Sequence, residues 1–300
     1  MTALARIRIP RVSPAAGIAL VLAGAIGFGL TPLFARTAFE AGLTPNHALY
    51  YRYLLPALLF APLWPRIVRR PRMLLPAMAI GAFQSLGSLG YYTGIREMPV
   101  ALAGLIFFTF PLWTVVFSRL VFGLVPDRRA VAGAALVLAA TFVILDPQTL
   151  AASPRAVAFC FVSPIAYAFM LIVFGHVLKG ETAMEVTAGF YLGALVTGLA
   201  IFAADRPDML IAEGARGIWL LLGFLLLTGL LPQTGLIVGA PAIGPSRTAT
   251  IGGFELVVTL GCGWIALGEP AEWREVVGAV LILAAVALAA TAKAPEPADS

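Results

Sequence analysis

Ten stretches of roughly 16–24 predominantly apolar residues, bounded by charges, prolines or short polar loops, constrain this chain more than any other feature. They lie near residues 15–36, 47–64, 73–95, 100–123, 130–145, 154–178, 184–203, 216–238, 244–267 and 272–292. Hydrocarbon offers no water to an exposed peptide group, so each stretch must become a helix that closes its own backbone hydrogen bonds. A 300-residue chain that is 60% hydrophobic and only 12% charged is therefore expected to be an all-α membrane protein with ten transmembrane helices. The fifth stretch is the shortest. Its sixteen residues rise about 24 Å against a hydrocarbon core of about 30 Å, so its ends must reach into the interface.

An even number of spans puts both termini on one side, and the basic residues say which. With the N-terminus in the cytoplasm, Arg6, Arg8, Arg11, Arg66, Arg69, Arg70, Arg72, Arg119, Arg128, Arg129, Lys179, Arg247 and Lys293 lie inside. Arg36, Arg96, Arg155, Arg206, Arg216 and Arg274 then lie outside, and Arg52 falls within a span. Thirteen against six follows the positive-inside bias. The run after Arg11 is too long, and followed by too many others, for a cleaved signal, and it reads as the first span. The longest connection, around "ADRPDMLIAEGAR", leaves no room for a soluble domain, so the chemistry belongs in the lipid bilayer. The net charge of +5 sits between apolar runs rather than on a basic helix face, which argues against a nucleic-acid partner. Cys160 and Cys262 have no second Cys or His at ligand spacing, and His47 and His176 are far apart, so no metal or cofactor is expected.

The chain repeats itself. A gap-free shift of 145 residues places Gly90 and Gly94 on Gly235 and Gly239, Thr114 on Thr259, Gly123 on Gly268, Arg129 on Arg274 and Gly133 on Gly278. Ser13-Pro14 and Ser153-Pro154 align at a shift of 140 instead, so the loops have diverged. The expected organisation is an N-terminal tail at 1–14, a first five-helix repeat at 15–145, a second at 154–292 and a C-terminal tail at 293–300. Five spans are an odd number, so the second repeat must cross in the opposite sense to the first. Such inverted repeats are an architecture of secondary transporters, whose sites lie near the midplane between the halves.

The stretch "GGFELVVTLGCGWIALGEP", with Glu255 and then Gly268-Glu269, is similar to the glutamate-containing ninth span and Gly-Glu turn of the EamA family. On that stretch and the two five-span halves, residues 15–292 resemble that family, part of the drug/metabolite transporter superfamily. The resemblance implies efflux of amino acids or other small metabolites across a bacterial inner membrane. Aromatic amino-acid exporters are similar in length and layout. Two positions depart from the family pattern: Leu256 stands where a proline usually follows the glutamate, and in the first half the equivalent of Glu255 is Phe110, followed by Pro111.

A carboxylate at mid-bilayer costs at least about 2.5–3.5 kcal/mol, so Glu255 marks where to look for a site. Thr248, Gly252, Glu255 and Thr259 recur at helical spacing and should share one polar face, opposite an aromatic face of Phe107, Phe110 and Thr114. Gln84, Ser88 and Tyr91 or Tyr92 lie on one face of the third span, the repeat shift sets Ser88 opposite Gln233, and Ser163 and Tyr167 flank Pro164 in the sixth. Trp113, Tyr167 and Phe107 are candidates for an apolar wall, and plain packing or an interfacial belt accounts for the aromatics equally. The glutamines could touch substrate or make interhelical hydrogen bonds of about 0.6 kcal/mol. Arg52 could be a structural ion-pair partner, a gate or a carboxylate contact, with Glu255 its simplest structural partner. A substrate ammonium would serve Glu255 instead, and a carboxyl protonated when empty and ionised when loaded would couple transport to a proton.

These readings point to a secondary transporter exporting small amphipathic metabolites, amino acids first among them, rather than to an enzyme. A lipid-modifying membrane enzyme would need clustered His, Asp or Cys, and a channel would need a repeated ring of ligands, whereas Glu255 has Phe110 as its repeat partner. The oligomeric state is left open. The topology has a direct check: in a background without Cys160 and Cys262, Thr2→Cys and Ser300→Cys should label only from the cytoplasm and Asp208→Cys only from outside. Labelling of positions 300 and 208 from the same side contradicts ten spans.

Overall fold

The computed structural model describes residues 12–97, 100–144, 154–178, 180–205, 214–266, 271–292 and 296–297. Residues 1–11, the loop around Asp208, Lys179, the Gly268-Glu269 turn and residues 293–295 and 298–300 lie outside the described residues. The first half comprises α1 (Pro14–Gly29), α2 (Thr31–Glu40), α3 (Pro45–Leu59), the short α4 (Trp64–Ile67), α5 (Pro71–Glu97), α6 (Val100–Phe107), α7 (Phe110–Leu120), the two-residue strand β1 (Leu124–Val125) and α8 (Arg128–Ile144). The second comprises α9 (Pro154–Cys160), α10 (Val162–Ile172), α11 (Ala183–Asp205), α12 (Gly214–Leu222), α13 (Leu231–Ile243), α14 (Pro245–Gly252), α15 (Phe254–Ala266) and α16 (Trp273–Ala290). A last strand, β2 (Glu296–Pro297), pairs antiparallel with β1.

Seven helical runs among the described residues are long and apolar enough to cross a membrane: Pro14–Glu40, Pro71–Glu97, Pro154–Ile172, Ala183–Ile201, Gly217–Ile243, Pro245–Ala266 and Trp273–Ala290. The other three expected spans are short or interrupted. α3 has 15 residues and α8 has 17, while α6 and α7 are separate pieces. The α6–α7 interruption follows from Pro111, which has no N–H for the Phe107 carbonyl four residues back. Thr109 then folds its hydroxyl onto the Ile106 carbonyl at 2.7 Å. The ninth expected span also divides, at Gly253 within a Gly252-Gly253 pair. The two breaks fall at equivalent places, since 108 plus 145 is 253. Just beyond each, the threonine hydroxyl returns to the carbonyl four residues back: Thr114 to Phe110 at 2.9 Å, and Thr259 to Glu255 at 3.0 Å. Two wide π-helical stretches, Val173–Val177 and Gly223–Leu230, extend α10 and join α12 to α13; the second ends just before Pro232, which cannot continue the regular ladder.

Lipid tails are as apolar as Leu, so helices here associate through close packing at small residues. α1 runs antiparallel to α13: a Cβ on Gly235 would lie 2.8 Å from the Leu20 carbonyl oxygen, and one on Gly239 2.8 Å from that of Gly17. α5 packs along α11 in the same direction, with Arg70 beside Glu185 and, further on, Met78 beside Gly193. α8 and α16 meet reciprocally. A Cβ on Gly133 would crowd the Ala285 carbonyl at 3.2 Å and one on Gly278 the Ala140 carbonyl at 3.3 Å, and Ala140 and Ala285 are themselves 145 apart. The remaining large contacts are α5 with α10, α3 with α11, α1 with α15 and α7 with α10.

At Gly81 a Cβ would overlap the Phe190 backbone, and at Gly193 the Met78 backbone, whereas at Gly261 nothing lies within 4 Å. Gly81→Val and Gly193→Val should therefore each cost at least about 1–3 kcal/mol, lowering the melting temperature in detergent, while Gly261→Ala leaves it nearly unchanged. Equal shifts in all three would mean that backbone approach does not limit this packing.

Candidate functional site

Where α1, α2, α3, α5, α6, α10 and α15 converge, their side chains line a small cavity of about 30 Å³. Two opposite charges line it. Arg52 from α3 and Glu255 from the first turn of α15 are each only 7% exposed. Among the described residues no ion pair joins them.

The guanidinium is held by its neighbours. Arg52 Nη1 donates to the Tyr92 hydroxyl at 3.1 Å, and its Cζ lies 5.0 Å from the centre of the Phe28 ring and 5.7 Å from that of Tyr53. Desolvated cation–π contacts of this kind contribute about 0.5–2 kcal/mol each and fix the plane of the group. Tyr53 is fixed in turn, its hydroxyl 2.7 Å from Ser88 Oγ. The lining also offers oxygen atoms without partners: Glu255 Oε2, Gln84 Oε1 and Thr31 Oγ1 are buried and accept or donate no hydrogen bond. Unsatisfied buried polar atoms cost about 1–3 kcal/mol each, so three facing one cavity mark a place where a ligand's donors, or water, would be stabilised.

The rest of the lining is aromatic apart from Ser163. The Phe107 ring lies 5.3 Å from Tyr91 and 5.3 Å from Tyr167, and Tyr167 meets Phe28 edge-on at 5.8 Å. Phe110 supports this wall from behind, its ring 4.7 Å from Tyr167. Gly252 stands beside it, where a Cβ would lie 3.8 Å from Phe110 Cζ.

Of the residues singled out in the sequence, Glu255, Gln84, Ser88, Tyr91, Phe107 and Tyr167 come together in the lining, with Ser163. Four others are engaged elsewhere. Trp113 donates Nε1 to Thr109 Oγ1 at 3.1 Å and stacks on Phe117, so it is not part of the wall. Thr114 is bound to the Phe110 carbonyl, and Gln233 donates to the Met170 sulfur at 3.4 Å. Thr259 bonds the Gly29 and Glu255 carbonyls at 3.1 and 3.0 Å. The expected continuous polar face from Thr248 to Thr259 is therefore absent: the helix breaks at Gly253 and both threonine hydroxyls are committed to backbone.

Phe28 and Thr31 were not anticipated. Their signal is the "LTP" at 30–32, where Pro32 interrupts the first span and the chain passes from α1 to α2 at Leu30. Arg52 was visible in the sequence as a charge within a span, and its place beside Tyr92 assigns it to the cavity.

A model of the EamA-like transporter family matches the chain twice, over residues 15–146 and 154–291. A solved structure described as "Crystal structure of protein" is similar in fold, with a TM-score of 0.74 at 17% sequence identity, covering 92% of this chain and 96% of its own. No curated protein matches the chain significantly.

Proposed function

The chain belongs to the EamA-like transporter family, and from that premise we propose that it is a secondary transporter that exports zwitterionic amphipathic metabolites, most simply amino acids, by alternating access between its two repeats. It is a multi-pass membrane protein with a small-molecule substrate. The observation that carries the finer reading is the pair of buried opposite charges lining one cavity without pairing to each other. A zwitterion supplies both missing counter-ions at once: its carboxylate meets the Arg52 guanidinium, whose planar fork suits that geometry, and its ammonium meets Glu255 with Gln84 and Thr31. An apolar side chain would then lie against Phe28, Phe107 and Tyr167, the helices parting to admit it.

The architecture we infer is ten helices in two inverted five-helix repeats. In its support, the reciprocal contacts of Gly133 and Gly278 are those expected of halves related by a two-fold axis. The exchange of first-half for second-half helices also converts the α1–α13 contact into α10–α5, and α1–α15 into α10–α7. The parallel α5 and α11, and the antiparallel α1 and α13, run as a ten-crossing path requires. We place the protein in a bacterial inner membrane with both termini cytoplasmic, on the thirteen-to-six bias of basic residues. Glu255 is the candidate proton site, ionised with substrate bound and protonated without it.

Counterflow in proteoliposomes tests the class: exchange-accelerated uptake of labelled amino acids is expected of a carrier and of neither a channel nor an enzyme. Glu255→Gln keeps the shape and removes the charge, so it should insert normally and lose transport about tenfold or more, or lose its pH dependence, between about pH 5 and 8. Normal transport across that range removes Glu255 from the mechanism. Arg52→Gln should weaken competition by free amino acids while leaving competition by their amides unchanged.

The aromatic wall has its own test. Phe107→Ala or Tyr167→Ala should weaken transport of tryptophan more than that of alanine, because lost contact area scales with side-chain size, at about 25 cal/mol per Å². Trp113→Ala should spare both, since it packs on Phe117. Equal losses for the two substrates would assign Phe107 and Tyr167 to packing alone.

A further inference from the structure

A second charged cluster stands well away from the cavity. Arg70, just before α5, donates to Glu181 at 2.5 Å and also to Glu185, while Arg66 Nε lies 2.7 Å from Glu185 Oε1, an ion-pair distance without hydrogen-bond alignment. Gln84, the first cavity residue on α5, is fourteen residues further on, about 21 Å of helix rise. The cluster also joins the repeats: both arginines belong to residues 15–146 and both glutamates to 154–291.

Three features separate it from an ordinary surface ion pair. Glu185 is nearly inaccessible, its side chain 3% exposed against 48% for Arg66 and 41% for Arg70. It lies in the first turn of α11, where the helix macrodipole favours a negative charge. The two arginines divide its oxygen atoms, Arg66 at Oε1 and Arg70 at Oε2. Beyond it toward the cavity, α5 and α11 lie in backbone contact at Gly81 and Gly193. Along α5 that seam lies between Gln84 and the end of the bundle carrying Arg66, Arg69, Arg70 and Arg72, the end assigned above to the cytoplasm.

We propose that Arg66, Arg70, Glu181 and Glu185 form an inter-repeat latch that closes the cytoplasmic end of the cavity and must break for the cavity to open there. The inference rests on the alternating-access reading, but on no particular substrate. When the first and second repeats part at this end, the latch residues separate and water reaches Glu185. Closure therefore gains the whole cluster, and opening exchanges it for hydration. A carboxylate held by two guanidiniums that belong to the other repeat is a discrete element with two arrangements, which is what a gate requires.

The experiment uses the full-length protein without Cys160 and Cys262, carrying Ser88→Cys as a reporter in the cavity lining. A membrane-impermeant maleimide is applied from the cytoplasmic side of sealed vesicles, with no substrate present. Labelling should be slow with the latch intact and rise about tenfold or more with Glu185→Gln or Arg70→Gln, as the population shifts toward the open state. Glu181→Gln, which leaves both contacts to Glu185, should give a smaller rise. Rates within twofold of the parent in all three variants would overturn the latch. Should Glu185→Gln fail to insert, cysteines at positions 70 and 181 bridged by a short cleavable cross-linker decide instead. The bridge should stop counterflow, and cleavage should restore it; undiminished counterflow with the bridge in place overturns the proposal. Failure of the amino-acid reading would appear differently, as normal latch-dependent labelling with no amino acid accelerating exchange.

Discussion

Backbone contact at glycine is the constraint on which the rest of the bundle depends. Between helices immersed in lipid there is little hydrophobic force to gain, so stability must come from how closely the surfaces meet. Gly235 and Gly239 let α13 rest on the carbonyls of α1, and Gly81 and Gly193 let α5 and α11 touch. These seams fix where α1 and α5 stand. They thereby bring Phe28 and Thr31 into one lining with Gln84, Ser88 and Tyr92, which α3, α6, α10 and α15 complete. A cavity between tightly packed helices persists only because its walls are held from outside, and here the glycine seams hold them.

Within that frame the two buried charges set the chemistry. Burying Arg52 and Glu255 against each other would satisfy both, and would also fill the cavity with a fixed ion pair. Instead Arg52 is held by one tyrosine hydroxyl and two ring faces, contacts that orient a guanidinium without neutralising it. Glu255 keeps an oxygen without a partner. Under the zwitterion proposal, the empty protein would hold Glu255 protonated, and both groups would be paired as ions only when opposite charges arrive together. On that proposal the same separation would select against ligands that bring one charge alone, because they leave the other group buried and unpaired.

The sequence made the membrane class, the repeats and Glu255 legible, because each depends on composition or on a register that the chain repeats. Gln84, Ser88, Tyr91, Phe107 and Tyr167 were also legible, as polar or aromatic residues at helical spacing inside apolar runs. Helical spacing fails where a helix is not continuous. Phe107 and Trp113 read as one wall on a continuous helix, but the α6–α7 break at 108–109 lies between them, and Trp113 donates to Thr109 and stacks on Phe117. Thr114 and Thr259 read as polar lining, yet a hydroxyl in a helix can close on its own i−4 carbonyl, and both do. Arg52 shows the converse limit. Its sequence neighbours reveal its depth, but whether it meets Glu255 or Tyr92 depends on which helices stand between them, and no local pattern encodes that.

The repeat partners Phe110 and Glu255 show how one backbone serves two chemistries. Each follows a helix break at the equivalent position, and each has its carbonyl bonded by the equivalent threonine. The backbone of the two halves is thus alike where their side chains differ most. Phe110 packs into the aromatic wall behind Tyr167, while Glu255 enters the cavity as its only acid among the described residues. Two identical glutamates in one cavity would repel, and two phenylalanines would leave Arg52 the only charge. On the proposed function, divergence at a single pair of related positions would give one wall suited to the shape of a substrate and another to its charge. The interhelical seams of the parent repeat can remain as they were, because neither side chain is among the nearest neighbours of the α1–α13, α5–α11 and α8–α16 glycines.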